Sequence, residues 1–300
     1  MKRVFTVLAL LIVVLLAGAG GYIYSKQPTR QGQIELRNLQ GSVTVRYDER
    51  GVPHIRAENE TDLYRALGYV HAQDRLFQME AMRRLARGEL AEVLGPKLLD
   101  TDKLFRSLRI RERAASYVAS LDKQSPAWKG LQAYLDGINQ YQDTHAAPIE
   151  FDVLGIPKRP FTAEDSISVA GYMAYSFAAA FRTEPLLTYV RDQLGADYLN
   201  VFDLDWQPKG VLAKSHSTSA PALAANDWTD LTALARLSEQ ALIDNGLPQF
   251  EGSNAWVIAG SRSQSGKPLL AGDPHIRFSV PSVWYEAQLS APGFELYGHH

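Results

Sequence analysis

An α+β chain is what this sequence predicts, mostly helical over its first two-thirds and turning to strands near its end. Three observations carry that expectation. Apolar residues recur at helical spacing from Leu63 to Leu85, and similar patterns follow downstream. Period-2 alternation marks residues 40–57, and the strand-like apolar run Ala255-Trp256-Val257-Ile258-Ala259 follows Ser253. The apolar fraction of 46% and charged fraction of 21% are those of a globular protein with a core.

The first element is a leader. Lys2 and Arg3 precede an apolar run from Val4 to Ala19, followed by Gly20-Gly21-Tyr22-Ile23-Tyr24. A basic start, a long apolar middle and the small residues Ala17-Gly18-Ala19 fit a cleaved export signal. The run is also about 20 residues long, enough for an uncleaved membrane anchor with its basic end inside. In either case residues 1–25 place the rest of the chain in the periplasm or on the outer face of the cytoplasmic membrane. The membrane is then a partner only through this segment. Residues 25–35 are a polar linker.

In residues 40–57, Val43, Val45 and Tyr47 alternate with Thr44, Arg46 and Asp48, giving a strand broken at Gly51-Val52-Pro53 and resumed at His54-Ile55-Arg56. Thr61 is the expected cap of a helix starting at Asp62, in a helical region that Gly95-Pro96 ends. Further helices are expected over 103–121, 126–143, 163–181 and 185–195, with Ile156-Pro157-Lys158-Arg159-Pro160 as a rigid break. Residues 26–204 thus form one mostly helical region. Residues 205–252 change character, and read either as a surface loop with one helix or as a spacer removed on maturation. Two strands, over 254–260 and 267–272, are joined by a turn containing Ser265-Gly266, in a hairpin expected to begin at Ser253 itself. There are no internal repeats.

Composition excludes several functions. A net charge of −2 offers no electrostatic reason for a nucleic-acid partner. The absence of cysteine excludes disulfides, zinc–thiolate sites and a cysteine nucleophile. Gly260-Ser261-Arg262-Ser263-Gln264-Ser265-Gly266-Lys267 has the wrong spacing for a phosphate loop and ends in Pro268 where Ser or Thr is required. Ser120-Leu121-Asp122-Lys123 lacks the companion motifs of a β-lactamase. His54 and His71 are too far apart for a helical metal pair. Gln73-Asp74-Arg75 and Arg83-Arg84 are expected to make structural ion pairs or helix contacts.

Chemistry concentrates at Gly252-Ser253-Asn254, where a polar stretch meets the run Ala255-Trp256-Val257-Ile258-Ala259. Cutting before Ser253 would put a hydroxyl nucleophile and an α-amine base, with a reference pKa near ~7.7, on one residue. Glycine suits the leaving side of such a junction, because it tolerates a strained backbone and leaves the carbonyl open.

The same junction, with Ser261, Gly266-Lys267-Pro268-Leu269-Leu270 and Asp273-Pro274-His275, resembles the start of the β chain of penicillin acylases. It is also similar to cephalosporin and acyl-homoserine lactone acylases, all N-terminal-nucleophile (Ntn) hydrolases. Asp48-Glu49-Arg50-Gly51-Val52-Pro53-His54-Ile55 and Gly68-Tyr69-Val70-His71-Ala72-Gln73-Asp74-Arg75-Leu76-Phe77-Gln78-Met79 resemble the opening of the α chain. The resemblance implies an αββα sandwich, incomplete in this chain, with residues 253–300 as the first part of the β chain of a truncated precursor.

It further implies self-cleavage between Gly252 and Ser253, followed by association of the α and β chains. Ser253 would be the nucleophile, Asn254 would fix its backbone, and His275 would position the amine through its backbone or its side chain. Met173, Phe177 and Ile276 match acyl-pocket positions, although Met173 and Phe177 also read as ordinary core. Ile276 leans toward a flexible acyl chain. Glu184 matches a carboxylate that reaches a structural calcium, and reads equally as a solvated glutamate. No cofactor is implied for catalysis. The substrate would be a small acyl amide, such as a penicillin or an N-acyl-homoserine lactone. The competing expectation is a membrane-tethered helical binding or scaffold protein, an acylase relative without its catalytic half.

Overall fold

The computed structural model describes residues 2–195, 197–198, 230, 233, 235–237, 240, 250–276 and 278–299. Helix α1, Lys2–Ser25, holds Leu10 to Leu16 and Tyr22 to Tyr24 in solvent. Among the described residues, no helix is long and apolar enough to cross a membrane. The end of α1 is tied to the body of the protein, where the Tyr22 hydroxyl and the Lys26 ammonium both bond the Asp152 carboxylate.

The strand expected over 40–57 is a hairpin of β1 (Thr44–Tyr47) and β2 (Pro53–Arg56). Asp48 builds its turn, accepting from the backbone N–H groups of Arg50 and Val52, each at 2.9 Å.

Helix α2, Glu60–Arg87, is the axis of the fold, and both of its ends differ from expectation. Thr61 lies inside it. The cap is Asn59, whose extended backbone (φ −153°) turns its side-chain oxygen onto the Asp62 N–H at 2.9 Å. The helix stops at Gly88, not at Gly95. Gly88 is left-handed (φ 65°) and its N–H reaches the Arg84 and Leu85 carbonyls. A Cβ there would also stand 2.5 Å from the Asp102 carbonyl oxygen. A short α3 (Ala91–Leu94) carries the chain on to Gly95.

The helix expected over 103–121 is two, α4 (Leu99–Ser107) and α5 (Ile110–Ser120), parted at Arg109, whose φ of 55° cannot continue a helix. Helix α6 (Pro126–Thr144) matches expectation, with Ser125 as its cap, and α7 (Ile149–Leu154) is additional. The helix expected over 163–181 divides after Ser176 into α8 (Ala163–Ser176) and α9 (Ala179–Tyr189). Pro185 lies inside α9 and does not open a new helix; a wider turn over Val190–Leu194 follows. The spacer expected over 205–252 lies largely outside the described residues.

Helices α2 and α6 meet backbone to backbone. A Cβ on Gly68 would fall 1.9 Å from the Tyr134 carbonyl oxygen, and one on Gly137 would fall 1.9 Å from that of Arg65. One face of α2 (Tyr69, Ala72, Leu76) packs with Leu135, Ile138 and Tyr141 of α6 and Phe151 of α7. A second face (Leu63, Ala66, Leu67, Val70) covers Ile55, Ala287 and Leu289 of a sheet. Near its end, Leu85 and Ala86 join Phe105, Ile110 and Tyr172.

Arg83 and Arg84 make the ion pairs expected of them, and both are buried. Each pairs with Glu80, and Arg83 also reaches Asp165 at 3.3 Å and the Pro160 and Arg159 carbonyls at 3.0 Å. Its guanidinium lies 3.9 Å from the centre of the Phe161 ring. The rigid Ile156–Pro160 break is thereby clamped against α2.

Two sheets are present among the described residues. In one, β1 and β2 are joined by β5 (Glu286–Ala291) and β6 (Phe294–His299), in the order β1-β2-β5-β6. Strands β2 and β5 run parallel, His54 opposite Gln288 and Ile55 opposite Leu289. This sheet therefore mixes strands from both sides of the Gly252–Ser253 junction. The other sheet is an antiparallel ribbon of β3 (Phe250–Ile258) and β4 (Leu269–Ile276).

Candidate active site

The ribbon carries the predicted nucleophile, but Ser253 is not at its head. With the chain uncut, Phe250 pairs with Ile276 and Gly252 with His275, so β3 begins before the junction and Ser253 lies within it. The expected hairpin start is corrected accordingly. Strand pairing continues as long as the backbone is continuous and a partner strand is opposite. The register also slips between Phe250 and Gly252, leaving Glu251 as an extra residue. A β-bulge therefore abuts the junction, a position bulges favour beside reactive sites.

Across the ribbon Ser253 stands opposite Pro274, and Asn254 opposite Asp273. Opposed residues share a face and faces alternate along a strand. Ser253, Pro274 and Ile276 therefore lie on one face, while Asn254, Asp273 and His275 lie on the other. The His275 imidazole does not share a face with the Ser253 hydroxyl. Its Nδ1 donates to the Asp273 carbonyl at 2.7 Å, and its Nε2 lies 3.6 Å from the Asp273 carboxylate. Ser253 and Asn254 are exposed.

The remaining predicted residues are on helices. Met173 and Phe177 sit at the end of α8, 40% and 46% exposed, so they are not the buried core pair that helical spacing would allow. Helix α8 packs on α2 and α5. Glu184 is exposed on α9. Calcium takes six to eight oxygens, and among the described residues no cluster of three or more acidic or histidine side chains is placed to hold a metal.

Apart from these residues, α2 is joined to the segment that leads into β5. The Tyr285 hydroxyl donates to Asp74 at 2.8 Å, and its ring stacks on His71 at 4.5 Å. Burial, with the Asp74 charge beside it, raises the Tyr285 phenol well above its ordinary range. Gln78 and Arg75 both donate to the Ser282 carbonyl, at 2.9 and 3.3 Å. Arg30, Arg50, Asp74, Trp284 and Tyr285 border a cleft of about 560 Å³ that includes none of the predicted site residues.

Sequence reasoning did not pick out Pro274, which stands opposite Ser253, or Glu251, the extra residue beside the junction. Asp-Pro-His and Glu-Gly-Ser are legible as tripeptides, but their roles depend on which residue faces which. It also missed β5 and β6, although alternation from Tyr285 to Ala291 and the turn Pro292-Gly293 mark them.

Comparison with known proteins places residues 42–300 on the family model described as penicillin amidase. The chain is 34% identical to a penicillin acylase 2 proenzyme of Pseudomonas sp. (strain SE83) over 90% of its length, covering 35% of that protein. It is 32% identical to an acyl-homoserine lactone acylase of Pseudomonas fluorescens (strain Pf0-1), again over 90% of its length and 33% of that protein. A solved penicillin G acylase from Alcaligenes faecalis aligns with a TM-score of 0.46 and 27% identity, covering 62% of this chain and 100% of that one. The chain spans about a third of the length of the curated relatives it matches.

Proposed function

From the premise that this chain belongs to the penicillin amidase family, we propose that it is a self-cleaving Ntn amidohydrolase acting on N-acyl compounds. The observation that carries the reading is the family match across residues 42–300, which includes the Gly252–Ser253 junction and the strand ribbon around it.

Maturation is an isomerisation followed by a hydrolysis. The Ser253 hydroxyl oxygen bonds to the Gly252 carbonyl carbon, the Gly252–Ser253 C–N bond breaks, and the hydroxyl proton ends on the freed nitrogen. Water then cleaves the ester, giving a Gly252 carboxylate and restoring the Ser253 hydroxyl. In turnover, that hydroxyl attacks the substrate amide while the α-amine takes its proton, the amine product leaves, and water releases the acid.

The relatives' names point to substrates of the penicillin and acyl-homoserine lactone kinds, with Met173, Phe177 and Ile276 toward the acyl group. The αββα sandwich and the pairing of α and β chains after cleavage belong to the same reading. So does the leader, as an export signal or anchor that places the protein in the periplasm or on the membrane's outer face; its support is the basic start and the exposed apolar surface of α1. A structural calcium would take one ligand from Glu184. No step runs through it.

Intact-mass measurement of the expressed protein tests the proposal. A fragment beginning at Ser253, absent from S253A, together with release of acid from an N-acyl amide, is expected. An uncut chain inert toward every acyl amide would instead favour a binding or scaffold protein.

A further inference from the structure

The ladder around the junction has a defined phase, and Pro274 sets it. Antiparallel strands alternate between pairs that exchange two backbone hydrogen bonds and pairs that exchange none. Proline has no N–H and cannot take part in a reciprocal exchange. The Ser253–Pro274 pair is therefore of the non-bonded kind, and its neighbours, Gly252–His275 and Asn254–Asp273, are of the bonded kind. Two consequences follow for the Gly252–Ser253 peptide. The Gly252 carbonyl points at β4 and faces the His275 N–H. The Ser253 N–H points the opposite way, toward an edge of β3 with which no strand pairs among the described residues.

We infer that His275 acts on the junction through its backbone N–H, which donates to the Gly252 carbonyl and stabilises the oxyanion formed in the N→O acyl shift. The inference rests on the self-cleaving reading above and deepens it. It separates the backbone of His275 from its imidazole, which the alternation of faces directs away from the Ser253 hydroxyl. When Oγ adds to the carbonyl carbon, negative charge accumulates on the oxygen already aimed at this donor. No reorganisation is needed at that moment, the condition under which one such donor is worth roughly 10²–10³ in rate. The nitrogen released by the shift emerges at the open edge of β3, clear of the ladder. Pro274 acts as a positioning residue: moving β4 by one residue would turn Ser253 onto the imidazole face and the Gly252 carbonyl away from β4.

Backbone esters provide the test, because replacing a residue by its α-hydroxy acid deletes one N–H and leaves the side chain in place. The full chain is assembled with the ester at His275 and, separately, at Asp273, whose N–H faces the Asn254 carbonyl. Both substitutions remove one hydrogen bond from the same ribbon, but only the first touches the scissile carbonyl. Self-cleavage is expected to slow by about 100-fold or more at His275 and by less than about fivefold at Asp273. In the uncleavable S253A background with a ¹³C-labelled Gly252 carbonyl, the carbonyl stretch should rise in frequency with the His275 ester and stay in place with the Asp273 ester. Equal slowing by both esters, or a carbonyl stretch indifferent to the His275 ester, overturns the inference alone. A wild-type chain that never cuts itself overturns the self-cleaving reading, and the inference with it.

Discussion

Asp74 on α2 accepts the Tyr285 hydroxyl at 2.8 Å, joining the helical axis to the start of β5 from opposite sides of the proposed cut. Around that bond, β2 and β5 pair in parallel, and Ala287 and Leu289 bury against Leu63, Ala66 and Leu67. Cutting at Ser253 should therefore leave the two pieces together. Native mass spectrometry of cut protein is expected to show one complex, while Y285F, which leaves the partly buried Asp74 carboxylate with Arg30 as its donor, should lower stability by about 1 kcal/mol. Separation of the wild-type pieces at micromolar concentration would contradict this.

The α2–α6 contact makes a sharper prediction. Because a Cβ at Gly68 or Gly137 would come within 1.9 Å of a carbonyl oxygen of the facing helix, the helices must part to admit even a methyl group. G68A and G137A should each destabilise the protein by at least about 1–3 kcal/mol, the usual range for an overpacked core. Gly155, with nothing within 4 Å of its Cβ position but a φ of 65°, supplies a control in which backbone strain alone is tested. Melting temperatures of the three variants decide the order.

Removing Arg83 should be costly in a different way. Its side chain is 1% exposed, and taking it away leaves Glu80 and Asp165 with less compensation in a buried setting. R83M is expected to cost about 3–5 kcal/mol by urea unfolding. A loss under about 1 kcal/mol would mean that the remaining arginines, Arg84 and Arg87, suffice.

Acid sensitivity should trace in part to Glu89. Burial alone would push its carboxyl up, but the Arg159 hydrogen bond and the Arg87 guanidinium outweigh burial and hold it below the ordinary range. A depressed carboxylate contributes stability that is fully present above its unfolded pKa, near ~4.3, and is lost as pH falls through the lower folded value. Wild type should therefore lose stability below about pH 4.3, and E89Q should show a shallower fall over the same window. Parallel curves for the two proteins would count against this account.

Much of the architecture was legible in the residues themselves. The spacing of Leu63, Ala66, Leu67 and Val70 announced α2, and Val43, Val45 and Tyr47 announced β1, because periodicity reports which side of an element meets the core. Boundaries were less legible. Thr61 and Asn59 are both good caps, and the choice depends on which residue the incoming chain holds extended. Arg109 offers no local warning of a break, yet its backbone is left-handed between α4 and α5.

The candidate site divides in the same way. The types of residue present at Gly252, Ser253, Pro274 and His275 were determined by the sequence alone, together with the chemistry each can perform. Pairing was decided in three dimensions: Ser253 opposite Pro274, Glu251 left over as a bulge, and the imidazole of His275 on the face away from the hydroxyl. The physical reason is that a strand's side chains repeat every two residues. A single step of register, invisible in a linear chain, therefore reverses which groups meet and which carbonyl faces a donor.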